Sequence, residues 1–194
     1  GLLLNEDYPS WLFAVKMGAT TIWERWNSIL PDGKISGTDM NSLNHYAYGS
    51  IVEWLYRCVL GIQADSNQPG YKHFFLAPQP SAQLGKAEGY YQSVSGRIES
   101  AWEILADGQL DFAFRVPFGT IATITLPDLT LEEAQKTEWL QSAVALEDSA
   151  KVTVKAGEYR VTYMPTRNYC PEVTTEMSYR ELLEYTPARK VIFE

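Results

Sequence analysis

A carboxylate set between two indoles is the first place where chemistry could sit. Thr20-Thr21-Ile22-Trp23-Glu24-Arg25-Trp26 is the densest polar and aromatic stretch of the chain. Sugars present flat apolar faces to aromatic rings and hydroxyl rims to carboxylates and amides, so these residue types suit a carbohydrate pocket. An indole wall also excludes water, which would raise the pKa of Glu24 and help it accept a proton. The competing reading makes Trp23 and Trp26 core residues and pairs Glu24 with Arg25 or another base. On residue physics alone packing stands ahead, because ion pairs outnumber catalytic carboxylates. The second candidate is His45, with Asn44 beside it, four residues into a helix expected over residues 41–60. At a helix N-terminus an imidazole is biased toward its neutral form, which donates from one nitrogen and accepts at the other, and so suits hydroxyl groups. A hydrogen-bonded core histidine is an equal alternative. His73 reads as a surface or junction residue.

Other chemistries fail on residue type. The sequence has no glycine-rich phosphate loop, no Cys/His ligand spacing and no G-x-S-x-G elbow. Asp32, Asp39 and Glu24 are not fixed on one loop, so neither a metal nor any other cofactor is expected. Cys58 and Cys170 are too far apart for a ligand cluster and read as ordinary buried or half-buried thiols. The 194 residues carry a formal charge of −8, spread along the chain, and no Lys/Arg cluster forms a basic face for nucleic acid. No apolar run approaches the roughly 20 residues that span a bilayer, so no membrane partner is expected. A content of 45% hydrophobic and 21% charged residues is that of a globular chain with a sizeable core.

Two textures position these candidates. In the first, Asp7-Tyr8-Pro9 signals a helix start, and Trp11, Leu12 and Val15 follow at helical spacing until Gly18. Pro31-Asp32-Gly33 marks a turn. Leu43, Ala47, Ile51, Trp54, Leu55 and Val59 then recur at three and four, with Asn41 or Ser42 as N-cap and Gly61 just past the end. After Gly70 the period changes to two. Ile98, Ser100, Trp102 and Ile104 alternate with polar neighbours, Asp107-Gly108 turns the chain, and Leu110, Phe112, Phe114 and Val116 alternate again. Residues 122–126, 152–154 and 159–163 continue the theme, the last two joined by a turn at Ala156-Gly157, and a further strand is expected around 138–142. Short half-buried strands at this spacing argue an antiparallel β-sandwich. Two or three helices cannot close a bundle, so the first part must pack on the sandwich or belong to a larger helical body. Leu2-Leu3-Leu4 reads as the end of a helix whose start is missing, and the pattern from Tyr179 as a helix without a closing cap. The chain is therefore expected to be a piece of a longer polypeptide.

At the level of motifs, residues 2–11, Gly18-Ala-Thr-Thr-Ile-Trp-Glu-Arg-Trp26, Ser42-Leu-Asn-His-Tyr-Ala-Tyr-Gly-Ser50 and Glu53-Trp-Leu-Tyr56 resemble the C-terminal part of bacterial α-L-rhamnosidases, glycoside hydrolase family 78. Pro69-Gly70-Tyr71-Lys72 and residues 74–78 are similar to that family's junction into its last β-domain. The resemblance is close over residues 1–127 and diffuse beyond. It implies an α+β chain: the last helices of an (α/α)6 toroid over 1–72, an antiparallel β-sandwich over 73–178 and a short C-terminal helix over 179–194. It implies inverting hydrolysis of terminal α-L-rhamnosides, with Glu24 as general base and His45, Trp23 and Asn44 as sugar-binding residues. The family's general acid, in a motif far upstream, has no counterpart, so the remainder of the parent chain is an implied partner and the isolated piece is expected to be inactive. Apolar helix faces left uncovered by the missing helices predict self-association. The other reading is a non-catalytic carbohydrate-binding or structural sandwich, in which Tyr90, Tyr91 and Trp102 contact a glycan.

Overall fold

The computed structural model describes residues 2–37 and 39–170, and the chain divides into two compact units between Trp54 and Leu55. The C-terminal helix expected over 179–194 lies outside the described residues.

The first unit is mostly loop around a few short helical turns. Ser10 caps helix α1 (Trp11–Lys16), its Oγ accepting the Phe13 N–H at 2.9 Å, so the helix starts two residues beyond Pro9. Trp11, Trp26 and Tyr48 form an aromatic cluster with centroids 4.7 and 4.5 Å apart, and Trp11 Nε1 donates to the Tyr48 carbonyl. The Pro31-Asp32-Gly33 turn is present, closed by the Gly33 N–H on the Leu30 carbonyl. The helix expected over 41–60 is corrected. Helical backbone starts only at Ala47, as a 3-10 turn (Ala47–Ser50), becomes helix α2 (Ile51–Trp54), and ends in the second unit as a π-helical turn (Leu55–Val59). The cause is where the amides go. Ser42 N–H bonds the Glu24 carboxylate and His45 N–H the Ile22 carbonyl, so neither serves a helical ladder. Asn41 is no cap, since its side-chain amide holds the carbonyls of Ser28, Ser36 and Gly37. Among the described residues before Leu55, Trp23 is the only buried hydrophobic side chain, while Leu2, Val15, Met40, Tyr46, Val52 and Trp54 are exposed.

The second unit is a two-sheet β structure with one continuous core. One sheet runs β1 (Ile62–Ala64), β2 (His73–Leu76), β6 (Ile121–Pro127), β8 (Ser149–Val154), β7 (Val144–Leu146). The other runs β3 (Lys86–Ser93), β4 (Gly96–Ile104), β5 (Leu110–Val116), β9 (Gly157–Tyr163). Inward residues alternate along each strand: Phe74 and Leu76, Ala122, Ile124 and Leu126 face Ile98 and Trp102, Phe112 and Phe114 across the core. β1 precedes residue 73 and pairs with β2, so the strand-bearing unit begins before the 73–178 bounds implied for the sandwich. Asp107-Gly108 does turn β4 into β5, closed by the Leu105 N–H on the Gln109 carbonyl.

Three details differ from expectation. β8 and β9 are not a hairpin; the Lys155-Ala156 connection carries the chain from one sheet to the other. β2 pairs with β6 in parallel, because the whole β3–β5 meander lies between them and supplies the crossover such a pair requires. Residues 138–140 form a 3-10 turn that buries Leu140, and the strand follows later, at Val144–Leu146. The β9 edge is covered by Trp139, whose Nε1 donates to the Arg160 carbonyl at 3.1 Å. Trp102 is 2% exposed with Nε1 on the Val59 carbonyl, so it is a core residue and offers nothing to a glycan. Both cysteines are free and half-buried. His73 is largely enclosed, with Nδ1 2.7 Å from Asp65 and Nε2 2.9 Å from Thr123. The Asn67 backbone N–H and then His73 hold the Asp65 carboxyl below the usual carboxylate range. Sequence reading placed His73 at the surface because nothing in its own neighbourhood announces Thr123.

Candidate active site

Glu24 sits in a loop that runs beside the segment 42–45. The Glu24 N–H donates to the Ser42 carbonyl at 2.9 Å, and the Ser42 N–H returns a bond to Glu24 Oε2 at 2.6 Å. Two further links lock the segments in step: His45 N–H to the Ile22 carbonyl at 2.7 Å, and Thr21 Oγ1 to the Leu43 carbonyl. One carboxylate oxygen is thus tied to a backbone amide, and among the described residues Oε1 accepts no hydrogen bond. A carboxylate oriented in this way keeps a lone pair for a water or a hydroxyl. Arg25 does not neutralise it, since its guanidinium donates to the Asp39 carbonyl.

His45 lies on the same loop pair, half-buried, its ring stacked on Tyr46 at 5.5 Å and its Nδ1 facing the Ala47 N–H at 3.4 Å. In this contact Nδ1 is the acceptor, which leaves Nε2 as the ring's donor. Helical backbone begins only at Ala47, so His45 does not stand in the first turn of a helix. Asn44 is exposed, its backbone N–H on Ser42 Oγ. Trp23 is buried and lines a cavity of about 240 Å3 with Trp11, Trp26, Tyr48 and Thr20. Neither Glu24 nor His45 lines that cavity. The structure therefore brings Glu24, Asn44 and His45 onto one loop pair and turns Trp23 into the cavity beside it. Ser42 is the residue the sequence reading took for a helix cap. Its signal was its place in the same motif as Asn44 and His45.

A loop-rich unit with short helical turns and a buttressed carboxylate, followed by a two-sheet β unit, defines the class: an α+β chain whose second unit is a β-sandwich. Residues 1–59 match the bacterial alpha-L-rhamnosidase six-hairpin glycosidase domain, and residues 61–141 match the bacterial alpha-L-rhamnosidase C-terminal domain. The chain belongs to the bacterial α-L-rhamnosidase family. It is 43% identical over 126 residues to an alpha-L-rhamnosidase of an Alteromonas strain, covering 65% of this chain and 13% of that protein. It is 35% identical over 162 residues to one of Streptomyces avermitilis, covering 83% and 15%. The crystal structure of a Streptomyces avermitilis alpha-L-rhamnosidase complexed with L-rhamnose superposes with a TM-score of 0.71 at 31% identity, over 84% of this chain and 15% of that one. The chain spans between 13% and 17% of the length of the curated relatives it matches.

Proposed function

We propose that this chain supplies the general base and part of the sugar-binding wall of an inverting α-L-rhamnosidase whose general acid lies in a portion of the enzyme upstream of residue 1. The observation that carries this reading is the Glu24 carboxylate, tied by one oxygen to the Ser42 amide at 2.6 Å and, among the described residues, without a hydrogen bond at the other, on the loop pair that holds His45. Glu24 Oε1 takes the proton of a water as that water attacks the anomeric carbon. His45 Nε2 and the Asn44 amide bind sugar hydroxyls, and Trp23 supplies the aromatic wall of the neighbouring cavity. Inversion requires the acid and base roughly 6.5–9.5 Å apart, with room for the water between them. In this reading residues 1–72 carry the last helices of an (α/α)6 toroid.

The test follows the first-formed product. Hydrolysis of an aryl α-L-rhamnoside by the full-length enzyme, watched by proton NMR, is expected to give the β-anomer first, and the 194-residue chain alone is expected to show no turnover. The α-anomer first, or full turnover by the chain alone, overturns the reading. The surface of the first unit yields a second expectation. With Trp23 its only buried hydrophobic among the described residues, the unit leaves Leu2, Val15 and Val52 to water, so the isolated chain is expected to self-associate. Sedimentation velocity across a wide concentration range checks this, and a monomer throughout counts against it.

A further inference from the structure

The open face of the β3-β4-β5-β9 sheet carries a trough of about 680 Å3 that the proposed catalysis does not use. Register explains its shape. One cross-strand row reads Tyr90, Glu99, Arg115, Glu158; the next reads Glu88, Ala101, Ala113, Arg160; the third reads Lys86, Glu103, Asp111, Thr162. The middle row has alanines on both central strands, so the floor drops beside the long polar side chains of the first row and between Glu88 and Arg160 at its two ends. From Glu88 on one edge strand to Arg160 on the other is three strand spacings, about 14 Å, the span of two linked sugar rings.

The walls are held in place by their own pairing. Arg115 Nη2 donates to Glu158 at 2.6 Å and its Nη1 lies 3.6 Å from Glu99, while Arg160 makes a bidentate pair with Asp111 at 2.9 and 3.1 Å. Arg97 stacks its guanidinium 3.8 Å from the centre of the Tyr90 ring, which remains 49% exposed at the trough's end. Three arginines (Arg97, Arg115, Arg160) face three glutamates (Glu88, Glu99, Glu158), so the lining carries no net charge. A polyanion finds no excess of positive charge here. Fixed donors and acceptors in alternation, with an aromatic ring at one end, match the hydroxyl rim and apolar faces of an uncharged sugar.

We infer that this trough is a second carbohydrate site, taking a neutral oligosaccharide of about two rings, separate from Glu24. The preference for a glycan carrying rhamnose rests on the rhamnosidase reading; the trough itself does not. Frontal affinity chromatography of the 194-residue chain on agarose bearing the neutral disaccharide α-L-rhamnosyl-(1→6)-glucose tests it. Retardation at about millimolar affinity is expected, weakened about tenfold or more by Ala113→Trp, which fills the floor, and by Arg115→Gln, which keeps the fold should the tryptophan not. No retardation, or retardation unaffected by both trough variants, overturns the site. Displacement by polygalacturonate before the neutral disaccharide overturns the choice of ligand. An inactive full-length enzyme with retardation intact would remove the rhamnosidase reading and leave the trough standing.

Discussion

Replacing Glu24 by glutamine in the full-length enzyme is expected to lower kcat on an aryl α-L-rhamnoside by about 10²–10⁴-fold, the range a positioned general base supplies. That loss is about 3–5 kcal/mol of transition-state stabilisation. The substitution is nearly isosteric, and an amide oxygen accepts the Ser42 N–H as Oε2 does, so the loop pair keeps its register. What disappears is the basic lone pair that takes the water's proton. KM is expected to change little, because the hydroxyl contacts assigned to His45 and Asn44 are untouched. A variant with wild-type kcat keeps the family membership and removes Glu24 as base.

How far the sequence could be read follows the range of the interactions involved. The alternation of Ile98, Ser100 and Trp102, and of Phe112 and Phe114, gives strands and inward faces, since side chains alternate whatever the partner strand. The Asp107-Gly108 hairpin is local as well, closed by bonds within five residues. Sheet membership is not local. β8 and β9 show the same alternation whether they pair with each other or, as they do, with β6 and β5. The parallel pairing of β2 with β6 spans some fifty residues and leaves no trace in either strand. The candidate site shows both sides of this limit. Glu24 and His45 stand out by type and motif. The structure that holds them together runs from Glu24 to Ser42 across a loop, and that long-range exchange is what keeps residues 42–45 out of the helical turns that begin at Ala47.

The largest effect on stability is expected at Gly61, for two reasons that can be separated. Its φ is 72°, in the left-handed region, and it stands between Leu60 and β1, where the chain leaves its helical turns for the first sheet. A Cβ there would lie 2.1 Å from the Pro78 nitrogen and 2.2 Å from the Ala77 carbonyl carbon, both backbone atoms. The close approach is built in, since the Gly61 carbonyl accepts the Ala77 N–H at 3.0 Å where β1 and β2 begin to pair. Gly61→Ala is therefore expected to cost about 1–2 kcal/mol for the backbone conformation and about 1–3 kcal/mol for the clash. At 2–4 °C per kcal/mol for a chain of this size, that is a drop in Tm of about 10 °C. Gly70 isolates the first contribution, with φ 81° and nothing within 4 Å of an added Cβ. Gly70→Ala is expected to lose about 1–2 kcal/mol and no more. Urea midpoints of the two variants, followed by near-ultraviolet circular dichroism, give the difference directly. Equal losses at the two positions would assign the whole effect to the left-handed backbone and remove the Ala77–Pro78 contact from the account.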